Sequence, residues 1–381
     1  MKQPIAITGR SAISSMGTDQ AEFAEARHNL TFDRKLNTWV GKLPENLQKA
    51  VKNLQNSTRN YQSLDPSVLY AMYTARETVA QAGWQKGADF GINIGSSRGA
   101  TQLFEQYYSD FLKEDKSSTL ASPTTTLGNI SSWVAQDLQN NGPDISHSIT
   151  CSTALHALLN GVAWLQAGMC DKFLVGGSEA ALTPFTIAQM QAMKTYSRAS
   201  ANSNFPCLAF DLKKTENTMV LGEGSASVCL EIGEMPNALA YVAGVGYATE
   251  KLKHAVSISA EAECFQKSMQ MAIADADSPS IDAVVMHAPG TMLGDSSEFK
   301  AINAIFGENM PLLTTNKWKI GHTFGASGLL SLDLAIYMLQ TQQFVDVPFV
   351  SPQAKFKKLD TVLVNAVGFG GNAVSILLRK A

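Results

Sequence analysis

Apolar strands alternate with helical segments along most of this sequence, the strands run as near-continuous apolar stretches, and the alternation pauses once, around Gly233–Asn237, before starting over. These observations predict an α/β protein of two similar halves, residues 1–235 and 236–381, each supplying a sheet covered on both faces. At 381 residues and 45% apolar content the chain is long enough to bury a sizeable core. A formal charge of −3 and a pI near 6.1 give no general attraction for nucleic acid or an anionic membrane surface. The five cysteines are odd in number and show no CxxC spacing, which argues against a disulfide framework or a structural zinc site and for a reducing, cytoplasmic setting. MKQPIAITGRSAISSMG lacks the apolar core of a signal peptide, and His156, Asn160 and Gln166 interrupt the most apolar helix, so no membrane span is expected.

The first strand is expected over Pro4–Ser14, followed by a polar, mixed segment to Lys52. Leu69, Met72, Ala75 and Val79 are spaced for a helix that Gly83 closes. Phe90–Gly95 reads as a short strand running into the turn Ser96–Gly99. The helix after it carries Leu103, Phe104, Tyr107, Tyr108 and Phe111, a stripe expected to pack in the core, and a loop leads to Thr124–Thr126. Ile145 and Ile149 alternate as one face of a strand that stops at Thr150. An apolar helix begins at once, and Phe173–Ala181 is the next strand. A further strand, SASVCLEI, closes the first half. The second half is expected to run helix 260–276, strand 281–286, helix 297–306, strand 311–315, helix 328–340, and strands 362–367 and 374–378.

Cys151 sits where the strand gives way to the helix. Unpaired N–H groups and the positive end of the helix dipole favour a thiolate there, although most cysteines at such places are inert packing residues. Three downstream segments bear on it. A buried strand delivers His287 at its C-terminal end, where sites form in α/β sheets, followed by Gly290, Asp295 and Glu298. TTNKWKIGHTFGASG places Lys317 and His322 between a strand and a helix. NAVGFGGN, residues 365–372, has the three glycines of a turn whose N–H groups point inward, as an oxyanion hole requires.

With Gly142 and Pro143 ahead of ISHSITCSTA, GGSEA at 176–180, FD at 210–211, GEG at 222–224, HAPGTMLGDSSE, KWKIGHTFGASG and NAVGFGG in this order, the chain resembles the β-ketoacyl synthases of the thiolase superfamily, the elongating type with a Cys-His-His triad. The resemblance implies a thiolase-like fold, its two halves each with a mixed sheet, packed as five layers αβαβα. It implies decarboxylative Claisen condensation of an acyl thioester with a malonyl thioester, with Cys151 as nucleophile and the N–H groups of Cys151 and Phe369 as oxyanion hole. His287 and His322, as neutral imidazoles, would stabilise the enolate, and Lys317 and Glu298 would form a supporting ion pair; a purely structural pair is the other reading of these two. Thr291, Thr323, Phe369, Gly370, Arg98 and Thr125 fall at substrate-binding positions. No metal or cofactor of the protein's own is expected; phosphopantetheine belongs to an acyl carrier protein, the implied partner. A dimer paired through the edge strand before Cys151 is implied, either with itself or with a chain-length-factor-like subunit.

The sequence also departs from the family pattern. His287–Thr291 reads HAPGT where HGTGT is usual, Gly370–Ala373 reads GGNA where GGTN is common, and the segment before GEG is a longer Lys213–Thr218. These departures point toward ketosynthases of polyene pathways, such as aryl polyenes or flexirubins, rather than fatty-acid enzymes. A thiolase would use a second cysteine near the C-terminus, whereas the last here is Cys264. An initiating synthase would present Cys-His-Asn, and a non-catalytic chain-length partner would lack Cys151. Arg98 would close the far end of the acyl pocket or meet a polar or conjugated chain there, or else point to solvent or pair across the dimer. His147 and His156 read as packed structural residues, and His28 and His254 have no partner motif.

Overall fold

The computed structural model describes residues 3–85, 87–251, 258–351, 353 and 358–381. The expected His254 lies outside the described residues. The first half runs β1 (Ile5–Ile13), β2 (Thr31–Asp33), β3 (Thr38–Gly41), α1 (Glu45–Ser57), α2 (Pro66–Ala82), β4 (Gly91–Gly95), α3 (Thr101–Glu114), α4 (Ala121–Thr125), α5 (Asn129–Leu138), β5 (Asp144–Ile145), α6 (Thr153–Gln166), β6 (Lys172–Glu179), α7 (Pro184–Ala192), β7 (Leu221–Gly222) and β8 (Gly224–Ile232). The second runs β9 (Ala240–Thr249), α8 (Glu263–Asp275), β10 (Ala283–Val285), α9 (Met292–Phe306), β11 (Leu312–Thr314), α10 (Lys317–Ile320), α11 (Ser327–Thr341), β12 (Thr361–Gly368) and β13 (Asn372–Arg379).

The strands pair in the order β5-β4-β6-β8-β1 in one half and β11-β10-β12-β13-β9 in the other. Both ladders combine the same orientations: parallel among the first three strands, antiparallel from the third to the fifth. Each is therefore a mixed sheet, and the halves share one topology. The ladders are not separate, however. Ile5, Ala6 and Ile7 of β1 pair antiparallel with Val242, Tyr241 and Ala240 of β9, joining them into one ten-stranded sheet.

Period-two burial sorts each strand's side chains between layers. Val175 of β6 and Val364 of β12 face a central cluster with Leu158 of α6 and Leu330 of α11. Leu174 faces Val68 and Met72 of α2, while Leu363 faces Phe265 and Met269 of α8. The layers thus run α2, sheet, α6 with α11, sheet, α8, the five expected. The central helices meet apolar surface on all sides, and residues 327–339 of α11 are buried without interruption. They also approach closely: a Cβ on Gly328 would lie 2.6 Å from Leu155 Cγ. Among the described residues no helix is long and apolar enough to cross a membrane.

Local signals account for several boundaries. Asp65 caps α2 by accepting the Ser67 N–H, and Gly83 ends it at φ +71°. Other expectations need correction. The strand expected over 145–149 is only the two-residue β5, because it lies at the edge of the sheet, where a single neighbour sets its length. The aromatic stripe of α3 is not core: Phe104 and Tyr108 are 62% and 57% exposed, on a helix that covers only the rim of the first half. Thr124 and Thr125, for which no element was expected, belong to α4. Helices α1, α5 and α7 were not legible, α1 because a single buried row of Leu47, Val51 and Leu54 is set in an otherwise polar segment.

Candidate active site

The site lies where the C-terminal ends of β10, β11 and β12 meet the turn between β5 and α6. That turn is tightly wound. Thr150 has a φ of +46°, and the Thr153 hydroxyl accepts from Ile149 N–H at 2.9 Å and donates to the Thr150 carbonyl at 2.6 Å. Cys151 follows at 6% exposure, two residues ahead of α6.

His287 leaves β10 under tight backbone control. Its N–H and that of Ala288 donate to the two oxygens of Glu298 at 2.9 and 2.8 Å, and Asn365 Nδ2 donates to Glu298 Oε1 at 3.2 Å. A carboxylate with three donors and no solvent thereby holds a turn in which Ala288 has φ +26°. His322 is placed by its own main chain: its N–H donates to Val220 O at 2.7 Å, and its carbonyl accepts from Gly222 N–H at 3.0 Å. Its Nδ1 lies 2.9 Å from Ser327 Oγ. The two imidazoles meet edge to face with centroids 5.4 Å apart.

Gly368 ends β12 against the turn that carries Cys151. A Cβ there would stand 1.9 Å from Thr150 Oγ1 and 3.2 Å from Cys151 N, so only glycine lets the β12–β13 turn approach. Phe369 follows. Cys151, His287, His322, Thr291, Gly368 and Phe369 line one cavity of about 290 Å³, whose remaining walls include Met190, Met219, Phe324 and Asn217.

Burial sets the ionisation of the site. It drives His287 well below the usual histidine range and His322 down to about 3, each helped by the charge of Lys317, so both imidazoles are neutral. It also pushes the Cys151 thiol up to about 12, with Glu179 adding to the effect and Lys317 and Arg98 opposing it. The expected depression of this thiol at a helix start is thus reversed: the cavity has little solvent to stabilise a thiolate, and the nearest acidic side chain works against it. Burial lowers Lys317 and raises Glu298, and their mutual attraction opposes both shifts. The expected ion pair between them is not a direct contact. Among the described residues no pairing within 4 Å joins them, because both Glu298 oxygens are turned to the His287 and Ala288 N–H groups.

The other expected binding positions divide. Thr291 lines the cavity and caps α9 through the Gly294 N–H. Thr323 is buried behind His322, 3.2 Å from Ser327 Oγ, and Gly370 stands beyond Gly368 at the turn, so neither is part of the lining. Arg98 is not in the lining either. Its guanidinium donates to Thr186 Oγ1 at 3.2 Å and to Gln189 Oε1 on α7, and stacks over the Phe324 ring at 5.7 Å, bracing a wall residue from behind. Thr125 is not in the lining, and its hydroxyl is spent on Ala121 O at 2.6 Å within α4.

One residue was missed although GGSEA had been singled out. Glu179 is fully buried behind Cys151; one oxygen accepts the Ser97 N–H and, at 3.1 Å, the Gly325 N–H, while Oε2 has no partner. Burial raises it to about 7. A buried acid ending a strand was the available signal.

Comparison with known proteins agrees with this geometry. The profile of the β-ketoacyl synthase N-terminal domain matches residues 3–234, and that of the C-terminal domain residues 239–349. The chain belongs to the β-ketoacyl synthase family. It is an acyltransferase that catalyses condensation. The 3-oxoacyl-[acyl-carrier-protein] synthase 2 of Coxiella burnetii is 25% identical over 417 residues, covering 100% of this chain and 99% of that one. Synthase 1 of Escherichia coli K12 is also 25% identical, over 425 residues with the same coverage. In fold, the chain superposes on a β-ketoacyl synthase from Burkholderia phymatum with a TM-score of 0.87 at 21% identity, each chain covered completely. A type II polyketide ketosynthase complex with its acyl-carrier protein gives 0.85 at 17%, again over both whole chains. These synthases share the thiolase-like architecture described above.

Proposed function

We propose that this β-ketoacyl synthase condenses acyl and malonyl thioesters delivered on the phosphopantetheine arm of an acyl carrier protein, in a polyene pathway of the aryl polyene or flexirubin kind. The observation that carries the chemistry is the convergence of Cys151 with two neutral histidines on one largely apolar cavity. In the first half-reaction the Cys151 sulfur attacks the acyl thioester carbonyl, and the carrier leaves as its free thiol, taking up the proton that Cys151 gives up. The buried thiol starts protonated, and its proton goes to the sulfur of the departing carrier as the bond to the acyl group breaks; neither imidazole is required in this step. The N–H groups of Cys151 and Phe369 serve the tetrahedral oxyanion, which the close seat of Gly368 on the nucleophile turn supports.

In the second half-reaction the malonyl thioester loses carbon dioxide, and the electron pair moves toward its thioester oxygen. His287 and His322 donate ring N–H bonds to that oxygen. The carbanion carbon then attacks the acyl-Cys151 carbonyl, forming the new C–C bond and releasing the cysteine sulfur. Lys317 and Glu298 act through position and charge, Glu298 by holding the His287 turn. No prosthetic group of the protein's own takes part. The carrier partner is supported by the acyl-carrier-protein synthases among the relatives and by a structural neighbour in complex with its acyl-carrier protein. The departures around His287 and Gly370 favour the polyene assignment. A setting in the cytoplasm follows the same reading.

The test separates the half-reactions. Cys151→Ala is expected to abolish retention of radiolabelled acyl groups on the denatured chain without loss of fold. His287→Ala and His322→Ala are expected to keep acylation but to release about a hundredfold less carbon dioxide from malonyl carrier. Acylation and decarboxylation falling together in the histidine variants would refute the assigned roles, and a Cys151→Ala variant that still condenses would refute the nucleophile.

A further inference from the structure

The stretch from Phe210 to Met219, which contains the departure from the family pattern at Lys213–Thr218, is built into the turn that carries His287. Asp295, fully buried on α9, accepts three donors: Phe210 N–H at 2.8 Å, Gly290 N–H at 3.0 Å and Lys214 Nζ at 2.6 Å. The two charged side chains are 0% and 2% exposed, and Lys214 Nζ also donates to Asp211 O at 2.9 Å. The other side of Gly290 is held from the same stretch. Its carbonyl accepts the Thr218 N–H at 2.8 Å and the Thr218 hydroxyl at 3.0 Å. Phe210 has a φ of +72°, a strained conformation for an aromatic residue, and Gly290 has a φ of +88°.

Asp295 and Glu298 are three residues apart on α9 and so share one face of the helix. From that face Glu298 fixes the N–H groups of His287 and Ala288, and Asp295 fixes Gly290. We propose that Lys214 is a positioning residue for His287, keeping Asp295 charged and turned toward Gly290 so that the imidazole is held at the cavity. This rests on the role proposed above for His287 in decarboxylation. Without the ammonium group, Asp295 is an unpaired buried charge, which is strongly disfavoured. It then takes up a proton, one oxygen becomes a donor, and the N–H groups of Phe210 and Gly290 compete for what is left. The turn behind His287 loses its anchor. Among the described residues no hydrogen bond joins the Cys151 turn, held by Thr153, to this network.

The half-reactions distinguish positioning from general support. With butyryl-pantetheine and malonyl-pantetheine thioesters as probes, Lys214→Met is expected to lower kcat for carbon dioxide release by about tenfold or more, as for a small displacement of a catalytic group. KM for the malonyl thioester and the rate of Cys151 acylation are expected to stay within about twofold. Lys214→Arg restores most of the release, because it keeps the charge. Both half-reactions falling together would overturn the proposal, as would an unchanged release. Should Lys214→Met not fold, Thr218→Val, which keeps the side-chain shape but removes one bond to Gly290, is expected to move release alone in the same direction; no change there overturns it equally. His287→Ala is measured alongside. Full release by His287→Ala removes the role of that histidine and this inference with it, whereas full release by Lys214→Met beside an impaired His287→Ala removes only this inference.

Discussion

Cys151 is 6% exposed and lies near the carboxyl of Glu179, and both circumstances oppose its ionisation. A pKa raised to about 12 means that the thiolate fraction is small at neutral pH and grows about tenfold per pH unit until the pH reaches that value. Alkylation of Cys151 by iodoacetamide, followed by mass spectrometry of its peptide, is therefore expected to accelerate steadily with pH and to show no plateau near the free-thiol range of about 8.5. A plateau at or below that range would mean that the helix start outweighs burial. Glu179 supplies a second check. It is raised to about 7, so above that pH it carries the charge that hinders the thiol. Glu179→Gln, which keeps an acceptor for Ser97 and Gly325, is expected to speed alkylation at alkaline pH and to change it little in acid.

The Cys151 turn and the β12–β13 turn are separate pieces of chain brought into close contact at Gly368. A methyl group at position 368 would meet Thr150 Oγ1 at 1.9 Å and the Ile149 carbonyl at 2.8 Å, and neither backbone can retreat far. Gly368→Ala is expected to displace the Phe369 N–H from Cys151 and to slow self-acylation by about a hundredfold, the scale for loss of one oxyanion donor. The overpacking itself costs about 1–3 kcal/mol, a modest loss of thermal stability. Single-turnover acylation and a melting curve on the same preparation check both; unaltered acylation would show that this hairpin does not serve the oxyanion. The wall formed by Phe324 is similarly composite, since Arg98 reaches it from the β4–α3 turn while bonded to α7. Arg98→Ala is expected to change the distribution of product lengths through Phe324 and to leave acylation by a short donor nearly unchanged. Identical product distributions would dismiss the brace.

At the scale of the molecule, the first half presents an apolar face that its own chain leaves uncovered. Phe104, Tyr108, Phe111 and Leu112 of α3 are 62%, 57%, 43% and 66% exposed, and the short edge strand β5 belongs to the same half. Large side chains grouped in this way mark a contact surface. A dimer is the expected state in sedimentation equilibrium, and Phe104→Asp with Leu112→Lys is expected to shift it toward monomer while leaving the far-UV circular dichroism unchanged. A wild-type chain that sediments as a stable, active monomer would exclude pairing as a requirement.

Alternation of apolar strands and amphipathic helices is a local property, so the α/β class, most core elements and the repeat of one pattern in two halves were legible from the residues alone. Cys151, His287 and His322 were legible only through the motifs around them, which resemble those of the β-ketoacyl synthases, and the structure sets all three on one cavity. Tertiary structure decided what depends on distant neighbours. Whether the α3 stripe is core or surface follows from what covers it, and the β1–β9 pairing that joins the ladders lies between segments more than two hundred residues apart. The same holds for ionisation. The helix start near Cys151 is visible in the sequence, but the burial that reverses its effect arises only when the ends of β10, β11 and β12 and the Cys151 turn close around one cavity and exclude water.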